Sequence, residues 1–413
     1  MVLLFSEPRT ILSHQRNHIW HVALRSLHDL RQSRSFLLNE VSLKSNPFVY
    51  IVCGEASGDL HAANLVAAWK THNPNVTFKA WGGDRLAAQG VQIDQHISTM
   101  SFMGFWEVIQ NLGTIRRQFK KLQATLLQQK PAVLVLIDYP GFNLRMAKWA
   151  HDHDIKVLYY ISPTVWAWKQ NRVYQIQKYV AQLYCILPFE PAFYARFGID
   201  VSYFGHPLQD EIASYQKAGS AALVFDKPIL ALLPGSRPQE LEKKLPLMLA
   251  AAAHFEATHQ IAIACASSIP LETYRAYCPN EAIYLSTAHT YDLLSCAELA
   301  LVTSGTATLE TALFNVPQVV CYKGSALSIW LAKKLVKIKY ISLVNLILDR
   351  SAVPELIQED CTASNMQRAL RELLPGEAKR QAQLSSYAEL HELLQHSGTS
   401  ERIAKSMNAY LES

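Results

Sequence analysis

The feature that most constrains this chain is a repeated switch of hydrophobic period. From Phe48 onward, short apolar runs alternate with turns and with stretches of helical spacing. FVYIVC reads as a buried strand, GEASG as a turn, and DLHAANLVAAWKTH as a helix with Asp59 near its start. VTFKAW, AVLVLID, KVLYYI, LYCIL and VSYFGH are further short apolar runs, each followed by a turn and usually a helical segment. Strand–helix alternation of this kind implies a parallel sheet covered on both faces. The pattern loosens around QKAGSAALVFDKP, then restarts with ILALLPGSR, IAIACA, ELALVTSG and QVVCY. The predicted fold class is therefore α/β, with two doubly wound, Rossmann-like domains at residues 47–213 and 228–376. A linker covers 214–227, and a polar helical segment, 377–413, is free to pack back on the first domain. Two such domains face each other across a cleft at the carboxyl ends of both sheets.

Composition narrows the function classes. At 413 residues the chain is long for one core, and half of it is apolar, as in ordinary globular proteins. The net charge of +5 does not demand nucleic acid but suits an anionic substrate or an acidic membrane surface. Seven scattered cysteines, with no C-x-x-C pair and no zinc-like spacing to histidine, read as reduced thiols. His18 and His21, and His151 and His153, are close pairs without cysteine partners, and no metal site is expected. No apolar run reaches the roughly 18 residues of a membrane-spanning helix. Residues 1–46 differ from the rest, being rich in Arg, Ser and His and poor in acid. A transit peptide, a membrane-surface helix and translation from an upstream start all fit them; the missing compact apolar region argues against a secretory signal.

Residues able to do chemistry collect at strand ends. LLPGSRPQE places Gly235, Ser236 and Arg237 between a buried strand and a helix. Glycine lets a ligand approach the backbone, the helix start offers N–H groups to phosphate, and arginine adds paired donors. Taken alone, a helix-capping turn with a solvated arginine fits as well. LVTSGTATLETA repeats the arrangement with Ser304, Gly305 and Thr306, followed by Glu310. Hydroxyls and N–H groups there suit a diphosphate, and the carboxylate suits a ribose diol; the alternative is N-capping, with Glu310 complementing the dipole. Two phosphate-type turns in one domain favour the nucleotide reading. In the first domain GEASGD, with Glu55, Ser57 and Gly58, is a third glycine turn. It is not G-x-G-x-x-G, and no phosphate-loop string occurs, so a nicotinamide cofactor is disfavoured and no cofactor is expected. VLIDYPGFN ends a strand on Asp138. A carboxylate at a cleft rim is partly desolvated, which moves its pKa toward general-base range; a helix-capping aspartate is the alternative. LYYISPTVWAWKQNRV sets Ser162, Trp166 and Trp168 on a turn, where the indoles fit either as core plugs or as cleft walls.

Taken together, GEASGDLHAANL, FMGFWEV, IDYPGFN, ISPTVWAWKQNRV, ILPFE, FGHPL, LLPGSR, SGTATLE and ISLVNL resemble, in order and spacing, the lipid-A-disaccharide synthase family, over about Tyr50 to Gln358. The resemblance implies a two-domain glycosyltransferase of the GT-B type. It would transfer 2,3-diacylglucosamine from its UDP derivative to the 6-hydroxyl of 2,3-diacylglucosamine 1-phosphate (lipid X). UDP would leave and a β-1,6 disaccharide form with inversion, without a catalytic metal. Carried over, the family's base falls on Asp138, its diphosphate arginine on Arg237, its nucleotide glutamate on Glu310 and its cleft asparagine on Asn345. Glu55, Ser57, Gly58, Ser162, Trp166 and Trp168 fall on the acceptor side. Gly141 stands where many members carry a second acid, and Val344 where proline is common. Two other readings compete: another UDP-sugar enzyme, such as an epimerase or a peptidoglycan glycosyltransferase, and a non-catalytic lipid- or nucleotide-binding relic. Retention of Asp138, Arg237 and Glu310 together argues against the relic.

Such an enzyme needs a way to its lipid substrates. Phe102, Met103, Phe105 and Trp106 precede a basic run of Arg116, Arg117, Lys120 and Lys121, and a second stretch joins Trp330 to Lys333, Lys334, Lys337 and Lys339. Apolar insertion beside positive charge suits peripheral binding to anionic lipid; a core-facing helix with solvated lysines opposite gives the same string. The expectation is a protein of the bacterial cytoplasm, peripheral on the inner membrane, with no nucleic-acid partner and a homodimer as a candidate assembly.

Overall fold

The computed structural model describes residues 47–99, 112–219, 223–278, 280–287, 290–324, 339–394 and 397–412. Two parallel sheets organise them. The first contains β1 (Phe48–Val52), β2 (Thr77–Gly82), β3 (Gln92–His96), β4 (Val133–Ile137), β5 (Val157–Tyr160), β6 (Gln182–Cys185) and β7 (Ser202–Tyr203), in the order β3-β2-β1-β4-β5-β6-β7. The second contains β8 (Ile229–Leu233), β9 (Gln260–Ala264), β10 (Tyr284–Ser286), β11 (Ala297–Thr303), β12 (Gln318–Tyr322) and β13 (Glu355–Ile357), in the order β10-β9-β8-β11-β12-β13. In both sheets the order reverses beside the first strand, between β1 and β4 and between β8 and β11. Loops leaving those strands part there, which opens a crevice at the carboxyl ends.

Helices α1 (Ala56–His72), α2 (Asp84–Ala88), α3 (Leu112–Gln129), α4 (Pro140–His151), α5 (Val173–Tyr179) and α6 (Glu190–Ala195) accompany the first sheet. Next comes α7 (Leu208–Ala218), which leads toward the second sheet and whose last turns fall in the stretch read as linker. The second sheet is accompanied by α8 (Pro238–Ala252), α9 (Leu271–Arg275), α10 (Thr290–Leu294), α11 (Thr306–Leu313), α12 (Leu343–Leu348) and α13 (Ala363–Arg371). The chain ends in α14 (Ala378–Leu393) and α15 (Thr399–Glu412).

Burial on both faces explains the unbroken apolar runs. In β1, Val49 and Ile51 join one apolar cluster while Tyr50 and Val52 join the other. The same alternation divides Ala231 and Leu233 from Leu230 and Leu232 in β8. The two C-terminal helices serve different sheets. Tyr387, Leu390 and Leu394 pack in a cluster on the second sheet, so α14 stays there. Ile403, Ala404 and Met407 of α15 are buried in a cluster on the first sheet. The expected return to the first domain is made by α15; Tyr387 keeps α14 where it is, through hydrogen bonds with the Gln318 side chain and the Val316 carbonyl.

Candidate functional site

Four of the candidate turns sit at the two reversal points. Glu55 precedes α1 just after β1, Asp138 follows β4, and Gly235 to Arg237 follow β8. The Ser304–Thr306 turn, after β11, faces the same edge as the β8 turn.

Asp138 and Tyr139 both hold left-handed backbone, at φ 46° and 47°. For residues other than glycine this costs about 1 kcal/mol or more each, so the surroundings must hold it. They do so through the Asp138 carbonyl, which accepts from Asn143 Nδ2 at 2.8 Å and from the Tyr159 hydroxyl. Asn143 Nδ2 also reaches the Ile137 carbonyl at 3.1 Å. The turn leaves the Asp138 carboxyl half-buried. Burial first, then the nearby Glu55 charge, push its pKa up to about 6, against a backbone N–H that favours the anion. Glu55 is itself raised by burial and held back by Arg237 from the second half of the chain. Glu55, Asp138 and Arg237 thus share one electrostatic neighbourhood. Tyr139 covers the same turn: a methyl on Gly54 would meet its ring at 2.5–2.8 Å, so only glycine fits beneath it.

On the second sheet, Ser236 and Arg237 are exposed, as are Gly305 and Thr306. Gly235 has φ 113°, and Glu240 reaches back over it, Arg237 Nη1 lying 4.0 Å from a Glu240 oxygen. No side chain caps the helix start at Arg237, and the Glu240 carboxylate lies over the turn. Burial raises the pKa of Glu310, and its Oε1 accepts from the Tyr291 hydroxyl at 3.2 Å.

Other candidates face inward. Ser162 is buried and bonds the Tyr194 hydroxyl at 2.8 Å, so it braces the Ser-Pro loop and offers nothing to an acceptor. Asn345 is fully buried, which corrects its placement in the cleft. Its Oδ1 accepts from the Ala352 and Val353 N–H groups, and its Nδ2 donates to the Val353 carbonyl and Glu355. Glu355 also accepts from the Ile341 and Ser342 N–H groups, and the Ile341 carbonyl accepts from Ser304 Oγ at 2.8 Å. Asn345 therefore reaches the Ser304 turn only through this knot. Gly58 is buried against Cys53, while Ser57 is exposed on the first turn of α1. Trp166 and Trp168 are both half-buried. Trp166 meets Phe189 edge-on at 5.1 Å and packs against apolar clusters of both sheets; Trp168 carries Lys169 Nζ 4.5 Å from its ring centre. Phe102, Met103, Phe105, Trp106, Trp330, Lys333, Lys334 and Lys337 lie outside the described residues.

Several residues have roles that the sequence did not reveal. Asp59 is buried and caps α2, accepting from the Gly83 and Arg85 N–H groups at 2.6 and 3.0 Å. Glu190 of LPFE is buried, accepts from the Ile186 and Leu187 N–H groups, and is pushed by burial up to about 7. His61, Glu211 and Tyr291 line up toward Glu310. Among the described residues, no cluster of three His, Cys, Asp or Glu side chains is placed to hold a metal ion.

Two parallel, doubly wound sheets of this order define the GT-B fold. Solved structures of that shape agree. The Neisseria meningitidis UDP-GlcNAc 2-epimerase bound to UDP-GlcNAc superposes with a TM-score of 0.62 at 13% identity, over 88% of this chain and 100% of that one. The calicheamicin glycosyltransferase gives 0.57 at 14% identity, over 90% and 99%. At these identities the likeness concerns the fold alone. The family described as lipid-A-disaccharide synthetase matches residues 49–407. The lipid-A-disaccharide synthase of Myxococcus xanthus is 37% identical over 371 residues, 87% of this chain and 97% of its own length. That of Nitrosococcus oceani is 38% identical over 378 residues, 89% and 97%. The chain belongs to the lipid-A-disaccharide synthase family.

Proposed function

We propose that the chain joins UDP-2,3-diacylglucosamine to lipid X, releasing UDP and the β-1,6-linked lipid A disaccharide 1-phosphate. The observation that supports the mechanism is that the Glu55 charge acts on Asp138 and the Arg237 charge acts on Glu55 across the two reversal points. Asp138, raised toward neutrality by burial and by Glu55, takes the proton from the acceptor 6-hydroxyl as that oxygen attacks the anomeric carbon. Attack from the face opposite the leaving UDP inverts the configuration. Arg237, exposed beside a helix N-terminus, stabilises the charge that grows on the departing diphosphate. Glu310 accepts from the ribose hydroxyls, and the Ser304–Thr306 turn offers the Thr306 hydroxyl and N–H donors, with Ser304 Oγ already bonded to Ile341. Asn345 supports that turn from behind.

The lipid substrates call for contact with a bilayer. Among the described residues, no helix is long and apolar enough to cross a membrane. Exposed Arg116, Arg117, Lys120 and Lys121 on α3 form a basic face, whose opposite side buries Leu122 and Leu126. That face docks the protein on anionic lipid at the cytoplasmic side of the inner membrane. Incubation of the full chain with both substrates and separation of the lipid products tests the reaction. Disaccharide and UDP in equal amounts are expected; epimerised UDP-sugar without disaccharide would overturn it.

A further inference from the structure

A buried polar chain joins the two halves of the molecule behind the nucleotide site. His61 Nδ1 of α1 lies 3.3 Å from Glu211 Oε1 of α7. The Tyr291 hydroxyl, on α10, lies 3.4 Å from Glu211 Oε2 and 3.2 Å from Glu310 Oε1 on α11. One phenol carries one proton, so it cannot donate to two carboxylates at once. If both acids were charged, one would face a phenol lone pair at a buried site, an arrangement that burial strongly disfavours. His61 supplies no positive charge at neutral pH, because burial lowers its pKa to about 4. One acid must therefore hold a proton, and Glu211 is the one pushed up to about 7, by burial first and then by the Glu310 charge. Around Glu211 stand also Arg85, Asp210 and Tyr160, with His206 beside His61.

We propose that Tyr291 is a positioning residue for the nucleotide site, aiming the Glu310 carboxylate at the ribose, with Glu211 carrying the proton that lets both acids share the phenol. This rests on the reading of Glu310 as the ribose-side acid. Above the titration of Glu211 the phenol is contested by two charges, Glu310 loses its fixed orientation, and UDP binds less well.

The test is calorimetric titration of UDP into the full chain across about pH 6 to 8.5, spanning the Glu211 value of about 7. Tyr291→Phe is expected to weaken UDP binding about tenfold, as loss of a hydrogen bond to a charged group would, while turnover at saturating donor falls less. Wild-type affinity is expected to drop as pH rises through about 7. Glu211→Gln, whose amide donates to the phenol without titrating, is expected to remove that drop. UDP's own ionisation is common to every arm, so the difference between wild type and Glu211→Gln isolates the acid. If Tyr291→Phe fails to fold, Glu211→Gln reads the same network with the phenol in place. Unchanged affinity in Glu310→Ala would sink the ribose reading itself. Weakened binding in Glu310→Ala with unchanged binding in Tyr291→Phe, or parallel pH curves for wild type and Glu211→Gln, would overturn the positioning role.

Discussion

A carboxylate serves as a base only while ionised, and Asp138 is held at a pKa of about 6 chiefly by burial and next by the Glu55 charge. Its acid limb therefore belongs near that value: kcat/KM falls as pH drops through about 6. A like charge opposes deprotonation, so removing it lowers the pKa. Glu55→Gln should move the limb to lower pH without abolishing turnover. Asp138→Asn should lose about 10²–10⁴-fold in kcat while UDP affinity holds, since the proposed nucleotide site lies on the second sheet's turns. A limb that stays in place in Glu55→Gln, or near-normal turnover in Asp138→Asn, would remove Asp138 from the mechanism. Arg237→Ala should lower kcat more than donor affinity, because the charge it faces grows as UDP departs.

At the scale of elements, a turn is only as well placed as the segment behind it. Asn345 makes four hydrogen bonds within residues 345–355, and Glu355 passes that order to Ile341, against which Ser304 is bonded. Asn345→Ala leaves the Val353 N–H and carbonyl buried without that partner, while the Ala352 N–H keeps the Arg350 carbonyl, and costs about 2–4 kcal/mol. Urea unfolding should show that loss, and UDP binding should weaken with it. Full stability with weakened UDP binding would instead return Asn345 to direct contact. The sequence displayed the strands and the turns because parallel strands are apolar on both faces, and a polar residue ending such a run stands out. Asp138, Glu55 and Arg237 were legible for that reason. Direction was not legible: Ser162 ends a strand like Asp138, yet turns inward to Tyr194, 32 residues away. Nor could spacing reveal that Tyr291 meets Glu211, 80 residues earlier. Pairings of that length come from how the two sheets stack, and no local period records them.

Across the whole molecule, the connecting helix α7 holds both halves through adjacent acids. Glu211 faces Tyr291 of the second half, while Asp210 accepts from the N–H groups of Gly398, Thr399 and Ser400 and so caps α15. From that cap α15 lies along α1, where Asn408 accepts from Trp69 Nε1 at 3.1 Å and from Asn73 Nδ2 at 3.0 Å. Ser406 and Tyr410 bond Tyr184 and Gln182 of β6. Since Glu55 is the residue just before α1, the C-terminal helix supports the helix that one of the candidate acids leads into. Loss of an N-cap typically costs about 1–2 kcal/mol, too little to unfold a chain with two large cores but enough to loosen one helix. Asp210→Ala should therefore speed hydrogen exchange in α15 and, through lost packing, in α1, while β8, β11 and β12 exchange as before. Faster exchange spread evenly over both sheets would mean that Asp210 supports global stability. Unchanged exchange in α15 would mean that the apolar contacts of Ile403, Ala404 and Met407 hold that helix without the cap.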